Sequence, residues 1–501
     1  MSIQKSNLID VIENCLERAT EDYDAVTDED VEELIEQTER NLYAGAEYGE
    51  VIDAAIGVVT SYIEREPAYK KVAAHLYRQK YYREVMDTDT DTDSIYDNHD
   101  YRRTFVENIQ RAVDEELLDE RMLEYDLEQL ADAIVPERDE LFDYMAMDTL
   151  YQRYFLKTPD DERLELPQAF WMRVAMGLAL RENESERHER AVEFYEVMSK
   201  LLFIPSTPTL FHSGTTHPQL SSCYLTTVKD DLEHIFDSYG SHAQLSKWSG
   251  GLGNDWTNVR AAGALIESTG VESTGIVPFL KISNDVTAAI NRSGKRRGAA
   301  CAYLEPWHLD FPDFIDLRRN TGDERRRTHD MNTAAWVPDL FMKRVRNGEE
   351  WTLFSPNEVP ELHETYGEEF EKIYEKYEEK ARNGELRQHE VVDAEELWRK
   401  TLTRLFETGH PWITFKDACN VRSPQDHVGT IHSSNLCTEV TLNTSEDEHA
   451  VCNLGSVNLS KHVGEDGLER DKIANTVETA MRMLDNVVDL NFYPTDEAER
   501  S

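Results

Sequence analysis

The chain has 501 residues, enough for a sizeable core and more than one domain. Its 99 acidic residues outnumber 53 basic ones, and the formal net charge of −46 is spread along the whole length rather than gathered in a tail. That balance disfavours non-specific contact with nucleic acid or anionic lipid, so neither is expected as a partner; with arginine commoner than lysine, it reads as adaptation to concentrated salt.

The six cysteines are Cys15, Cys223, Cys301, Cys419, Cys437 and Cys452. They include no CxxC pair, which argues against a zinc ribbon or a thioredoxin-like site, and so few in so long a chain do not make a secreted disulfide scaffold. No metal ligand set is expected. No apolar run approaches the ~20 residues of a membrane span, and the first residues do not read as a signal peptide. A cytoplasmic location follows by default.

Residues 6 to about 85 read as helices. Val31, Leu34, Ile35 and Leu42 keep helical spacing, Thr27 to Asp30 offers a capping start, and Ala44-Gly45-Ala46 closes that helix. Val51 to Ile63 is apolar nearly all round and reads as a central buried helix. The acidic repeat Asp87 to Asp93 has no apolar content and reads as a linker. Helical spacing resumes from residue 100 to about 203, with Phe170, Trp171, Val174, Ala175 and Leu178 on one face.

The texture changes at Ile204-Pro205-Ser206-Thr207-Pro208. Leu220–Thr227, Ala300–Leu304, Thr333–Val337 and Trp351–Phe354 are strand candidates, and Glu368–Ala381 is an amphipathic helix. Strands interleaved with helices predict an α/β barrel or open sheet, preceded by an all-α region.

The chemistry-bearing stretch is Ser433-Ser434-Asn435-Leu436-Cys437-Thr438-Glu439. In an extended segment, alternate side chains point the same way, so Asn435, Cys437 and Glu439 are expected to face one small volume. Cys301, Cys419 and Cys15 read as buried small hydrophobes. Cys223 and Cys437 lie among Ser, Thr and Asn, where reactive groups rather than packing groups tend to lie. Two glycine-rich stretches, Ser249–Asn254 and the basic Asn291–Gly298, fit either a tight turn or a close approach to phosphate.

These residues carry a resemblance. STPTLFHSGT (206–215), QLSSCYL (219–225), KWSGGLGND (247–255), YLEPWHLDFPDFIDLRRNTG (303–322), DLFMKRV (339–345), FKDACN (415–420), SSNLCTEV (433–440) and AVCNLGSVNL (450–459) occur in the order found in large, catalytic subunits of class I ribonucleotide reductases of the eukaryotic kind. The chain resembles that family over about 200 to 495, and residues 140–200 resemble the helical domain before its barrel. The resemblance implies the first part of a ten-stranded α/β barrel over 219–501, an all-α domain over 100–218, a linker over 87–99 and, over 1–86, a helical remnant of an ATP-binding cone.

It also implies roles. Cys437 matches the radical cysteine, Glu439 the general base and Asn435 the group that orients the ribose hydroxyls. Cys223 and Cys452 match the redox pair that ends as a disulfide, and Thr207 and Ser222 match residues lining the ribonucleotide and its phosphates. Asp230 or Asp231, Lys247 and Arg260 match ligands of a nucleoside triphosphate effector at a homodimer interface. The basic loop 291–298, with Arg296, matches the element that relays effector identity; Arg297 replaces the family's proline there. The activity implied is reduction of ribonucleoside diphosphates to deoxyribonucleotides, with ATP or deoxynucleoside triphosphates as effectors. The radical comes from a metal-containing small subunit, or from adenosylcobalamin in class II, and the motif wording favours class I. A thioredoxin- or glutaredoxin-type reductant completes the set, and no cofactor is expected on this chain.

Two departures bear on this. The strand and Lys-Arg-Asp-Gly stretch that open the family's cone are missing. The chain also stops before the barrel's second half, so it is expected to be a fragment, a split-gene product or a piece interrupted by an insertion, inactive without the remaining half, and the alternative to a reductase is a non-catalytic nucleotide-binding fragment.

Overall fold

The computed structural model describes residues 13, 16, 19–20, 26–43, 46–86, 98–248, 250–292 and 296–501; of Asn98, Asn291, Arg292, Arg296 and Arg297 it describes the backbone. Cys15, Ala44-Gly45, the acidic repeat Asp87 to Asp93 and the tip of the basic loop lie outside the described residues. The chain divides into two compact units, one of residues 1–220 with 454–491 and one of 221–453 with 492–501. The division by packing thus differs from a single cut near 219, because a late segment returns to the first unit. No helix among the described residues is long and apolar enough to cross a membrane.

The first unit is helical. Helix α1 (Asp28–Arg40) starts where the sequence signals it. Thr27 and Asp30 form a reciprocal capping box, and three acids in the first turn complement the helix dipole. Helix α2 (Tyr48–Ser61) buries Val51, Ile52, Ala55, Ile56, Val58 and Val59 but exposes Asp53, Gly57 and Ser61. It is therefore amphipathic, not buried all round as its apolar run suggests.

After α3 (Tyr69–Met86) and α4 (Asn98–Asp114) comes α5 (Pro167–Ala179), with proline at its start, where the missing N–H costs nothing. Every residue of α5 is buried, not one face only. Its Arg173 is fully enclosed, paired with Glu165 at 2.8 Å and donating to the carbonyls of Leu210 and Ser213. Helix α6 (Glu184–Ser199), the short strand β1 (Phe203–Pro205) and helix α7 (Thr207–His212) complete this run.

The second unit is built on one six-stranded sheet. Its strands are β2 (Cys223–Thr227), β3 (Gly251–Asp255), β4 (Ala299–Leu304), β5 (Asn332–Val337), β8 (Trp412–Phe415) and β9 (Ala450–Cys452), in the order β8-β5-β4-β3-β2-β9. Five are parallel neighbours and β9 joins β2 antiparallel. Strands β6 (Glu350–Phe354) and β7 (His389–Asp393) form a separate antiparallel pair, so Trp351–Phe354 is a strand outside the main sheet. Helices α8 (Leu232–Lys247), α9 (Ile276–Ala289) and α10 (Gly367–Arg382) connect the strands. The basic loop is a short hairpin in which Asn291–Arg292 pairs with Arg296–Arg297. Strand β10 (Gly455–Val457) then pairs with β1 in the first unit, where helix α11 (Arg470–Leu490) also packs.

The strand alternation sorts side chains into two layers. Ala300, Ala302 and Leu304 of β4, with Ala335 and Val337 of β5, pack into the large core with the helices. Cys301, Tyr303, Ala334 and Trp336 face the other way and form a small cluster with Ile431, against which Leu436 packs. That second face carries the segment holding the candidate site.

Candidate active site

Residues 432–436 run along β3 in the opposite direction. A Cβ at Gly251 would lie 2.8 Å from a Leu436 methyl, and one at Gly253 only 1.8 Å from the Ser434 carbonyl oxygen. Gly251, Gly253 and Asp255 share one face of β3 by alternation. The glycine-rich stretch is therefore neither a turn nor a phosphate cradle. It is a strand stripped of side chains so that another backbone can lie on it.

The expected extended geometry of 433–439 is corrected by a turn over Leu436 and Cys437, with Thr438 at a φ of 66°. Alternation is not what brings the polar groups together. The Asn435 carboxamide is: its Nδ2 donates to Cys223 Sγ at 3.1 Å and lies 3.3 Å from Glu439 Oε1, while its Oδ1 accepts from the Cys437 N–H at 3.2 Å. Asn435 is fully buried and its carbonyl is held by the Tyr303 hydroxyl at 2.7 Å. Cys437 is exposed at the turn.

Cys452 of β9 stands directly opposite Cys223 of β2 in the ladder. Such partners have Cα atoms about 4.5–5.5 Å apart, within the range a disulfide spans. Burial pushes the Cys452 thiol up to about 12, with the neighbouring Cys223, Glu439 and Cys437 adding to the shift, so it holds its proton at neutral pH. The Cys223 sulfur and the Cys437 backbone N–H thus meet at one amide, with Cys452 across the ladder from Cys223.

Ser222 sits beside them, its hydroxyl 3.3 Å from the Cys452 carbonyl oxygen. Thr207 is at the start of α7 in the first unit, its hydroxyl 3.0 Å from that of Tyr154. Of the residues matched to an effector, Asp230 and Arg260 pair through two contacts of 2.8 and 3.0 Å. Asp231 caps α8, accepting from the His234 N–H. Lys247 lies at the other end of that 16-residue helix, about 24 Å away at 1.5 Å per residue, so one chain does not bring it to the others. The Arg296 side chain is outside the described residues.

Tyr303, Asn420 and Asp255 lie within the motifs that carry the resemblance but have no role assigned from the sequence, and His363 and His432, which join Asp255 in a buried trio, lie outside those motifs. Asp255, His363 and His432 offer ligand atoms within 4.8 Å of one another, the one such group among the described residues. The two imidazoles stack with planes 13° apart, however, and ring-nitrogen lone pairs lie in the ring plane, so as they stand they do not converge on one ion.

An all-α region followed by a mainly parallel α/β sheet, with a buried asparagine bonded to Cys223 and to the Cys437 backbone and with Cys452 across the ladder from Cys223, defines an α/β protein with a cysteine-rich candidate site. Two family profiles match: the ribonucleotide reductase all-alpha domain over residues 140–218 and the ribonucleotide reductase barrel domain over 221–501. The chain belongs to the ribonucleotide reductase large-subunit family. It is 52% identical over 464 residues to the ribonucleoside-diphosphate reductase subunit alpha of Chlamydia muridarum, covering 92% of this chain and 44% of that protein. It is 38% identical over 472 residues to the large subunit of Danio rerio, covering 92% and 57%, and 37% identical over 476 residues to the large chain of Schizosaccharomyces pombe, covering 94% and 56%. The chain spans about half the length of the curated relatives it matches.

Proposed function

We propose that this chain supplies the thiol site of a ribonucleoside-diphosphate reductase, replacing the ribose 2′-hydroxyl of a ribonucleotide by hydrogen. The observation that carries the reading is the single Asn435 amide reaching both Cys223 and Glu439, with Cys452 across the ladder from Cys223.

Hydroxide is a poor leaving group, but a radical at C3′ lets the 2′-hydroxyl depart as water. Cys437, exposed at its turn, carries the unpaired electron: its thiyl takes the 3′ hydrogen atom and becomes a thiol. Glu439 takes the 3′-hydroxyl proton, and Asn435 holds the hydroxyls in line. Cys223 or Cys452 gives the proton with which the 2′-hydroxyl leaves as water; the raised thiol of Cys452 keeps a proton on the pair until then. The other thiol of the pair then gives C2′ its hydrogen, the pair's two electrons pass to the sugar as the disulfide closes, Glu439 returns its proton to the 3′ oxygen, and Cys437 returns its hydrogen to C3′, regenerating the thiyl. A metal-containing small subunit is the oxidant that first makes the thiyl, and a thioredoxin- or glutaredoxin-type dithiol reopens the disulfide. Ser222 binds the substrate. Asp230 or Asp231 and Arg260 of one chain bind a nucleoside triphosphate effector together with Lys247 of a second copy, since one chain holds Lys247 apart from them.

The test uses the complete large subunit with its small subunit and a ribonucleoside diphosphate, without external reductant. One turnover should join Cys223 to Cys452, read by mass spectrometry, and Cys437→Ser should stop both product and crosslink. Product formed with Cys223 and Cys452 still thiols would overturn the assignment.

A further inference from the structure

Residues 430–436 have no helix or ladder of their own before their turn, yet they are tied at successive points. Thr430 Oγ1 donates to the Glu364 carbonyl at 2.7 Å. Asn420 brackets Ile431, accepting from its N–H at 2.8 Å and donating to its carbonyl at 3.0 Å. The His432 ring lies on the His363 ring with centroids 3.7 Å apart.

The stack is charged on one side. His363 Nε2 donates to Asp255 Oδ2 at 2.7 Å and Nδ1 to Glu364 Oε1 at 3.1 Å. His432 Nε2 is 3.4 Å from Glu364 Oε2, while its buried Nδ1 has no hydrogen-bond partner, as suits a neutral ring. A neutral aromatic face against an imidazolium gains the attraction a cation has for a ring.

The register of this segment on β3 pairs Leu436 with Gly251, Ser434 with Gly253 and His432 with the strand's last residue, Asp255. The two glycines are equivalent holes. A slip of two residues would still find a glycine under the backbone, and a period-2 surface does not by itself exclude it. The charged end breaks that equivalence, because Asp255 is the β3 position that bonds His363, the ring under His432.

We propose that Asp255, His363 and His432 form a latch that sets the register of residues 430–436 along β3, and so are positioning residues for Asn435 and Cys437. The latch concerns the same residues as the reductase reading, but it is read by protection of a thiol rather than by turnover, so either can fail without the other.

The test is alkylation of Cys223 by N-ethylmaleimide in the chain as it stands, beside its thermal midpoint. Cys223 is buried, with Asn435 donating to its sulfur. His432→Ala should speed its alkylation about tenfold through local opening, with little change in midpoint, whereas His432→Phe, which keeps a ring on His363, should stay within about twofold of the parent. Should His432→Ala be too unstable to assay, His363→Gln removes the charge under the stack and should speed Cys223 by about threefold or more. An unchanged Cys223 rate in His432→Ala, or in His363→Gln where that variant stands in, would overturn the latch, as would equal acceleration in His432→Phe. One equivalent of zinc retained on dialysis by the parent and lost in His432→Phe would also overturn it, in favour of a cation site.

Discussion

Each unit buries several carboxylates, and two of them, Asp139 and Asp255, are handled in opposite ways. Among the described residues no cation is bonded to Asp139 in the helical unit. The Tyr82 and Tyr101 hydroxyls and the Gln168 amide all donate to it, yet burial outweighs them and raises it to about 6. Asp255 in the sheet unit is equally buried, but the charge and hydrogen bond of His363 outweigh burial and hold it below the usual carboxylate range. His363 responds in kind: burial would lower it, but Asp255 and Glu364 hold it up to about 9. The comparison teaches that hydrogen bonds suffice where a buried group only links helices, whereas ion pairs gather where a loop without secondary structure must be fixed.

The largest effect should come from leaving a buried charge alone. Lys416 is fully buried and donates to Glu305 at 2.8 Å and to the carbonyls of Leu362 and His363. Lys416→Met should therefore cost the second unit about 3–5 kcal/mol, read from the urea midpoint by fluorescence. All tryptophans but Trp171 lie in that unit, so fluorescence reports it. A loss below about 1 kcal/mol would place the Glu305 pair among the dispensable ones.

Next in size is the alkaline limb. A group raised in the folded state stabilises fully below its unfolded value and loses that contribution as pH rises through the folded one. His363 should thus give the second unit roughly 3 kcal/mol that fades between about pH 6.5 and 9, and His363→Gln should flatten that fall. A decline that persists unchanged in His363→Gln would assign it to other groups.

The smallest effect sharpens the contrast. Asp139→Asn should change the helical unit's stability at pH 7 by no more than about 1 kcal/mol. The parent should lose stability as pH rises from about 4 to 6, because its raised carboxyl favours the protonated form, and the variant should not. Circular dichroism of the helices reads both.

Much of the fold was legible from local chemistry. Thr27 and Asp30 announced α1, and period-2 runs placed β2, β4 and β5 to within a few residues. Less local features were misread for identifiable reasons. The apolar run of α2 hid an exposed face because Gly57 and Ser61 are small rather than charged. The glycines of β3 looked like a turn because the backbone lying on them comes from 180 residues later in the chain, a partner no local pattern contains.

The sequence by itself determined which residue types could do the chemistry, since thiols, an amide and a carboxylate in polar contexts are visible without coordinates. It did not determine how they meet. Tertiary structure decided that: pairing of β9 with β2 set Cys452 opposite Cys223, and Asn435 rather than strand alternation drew Glu439 and Cys437 to the same place. The physical reason is that residue identity fixes reactivity, whereas contacts between segments hundreds of residues apart depend on ladder register and on buried charges such as those of Asp255 and His363, which form only once the chain has folded.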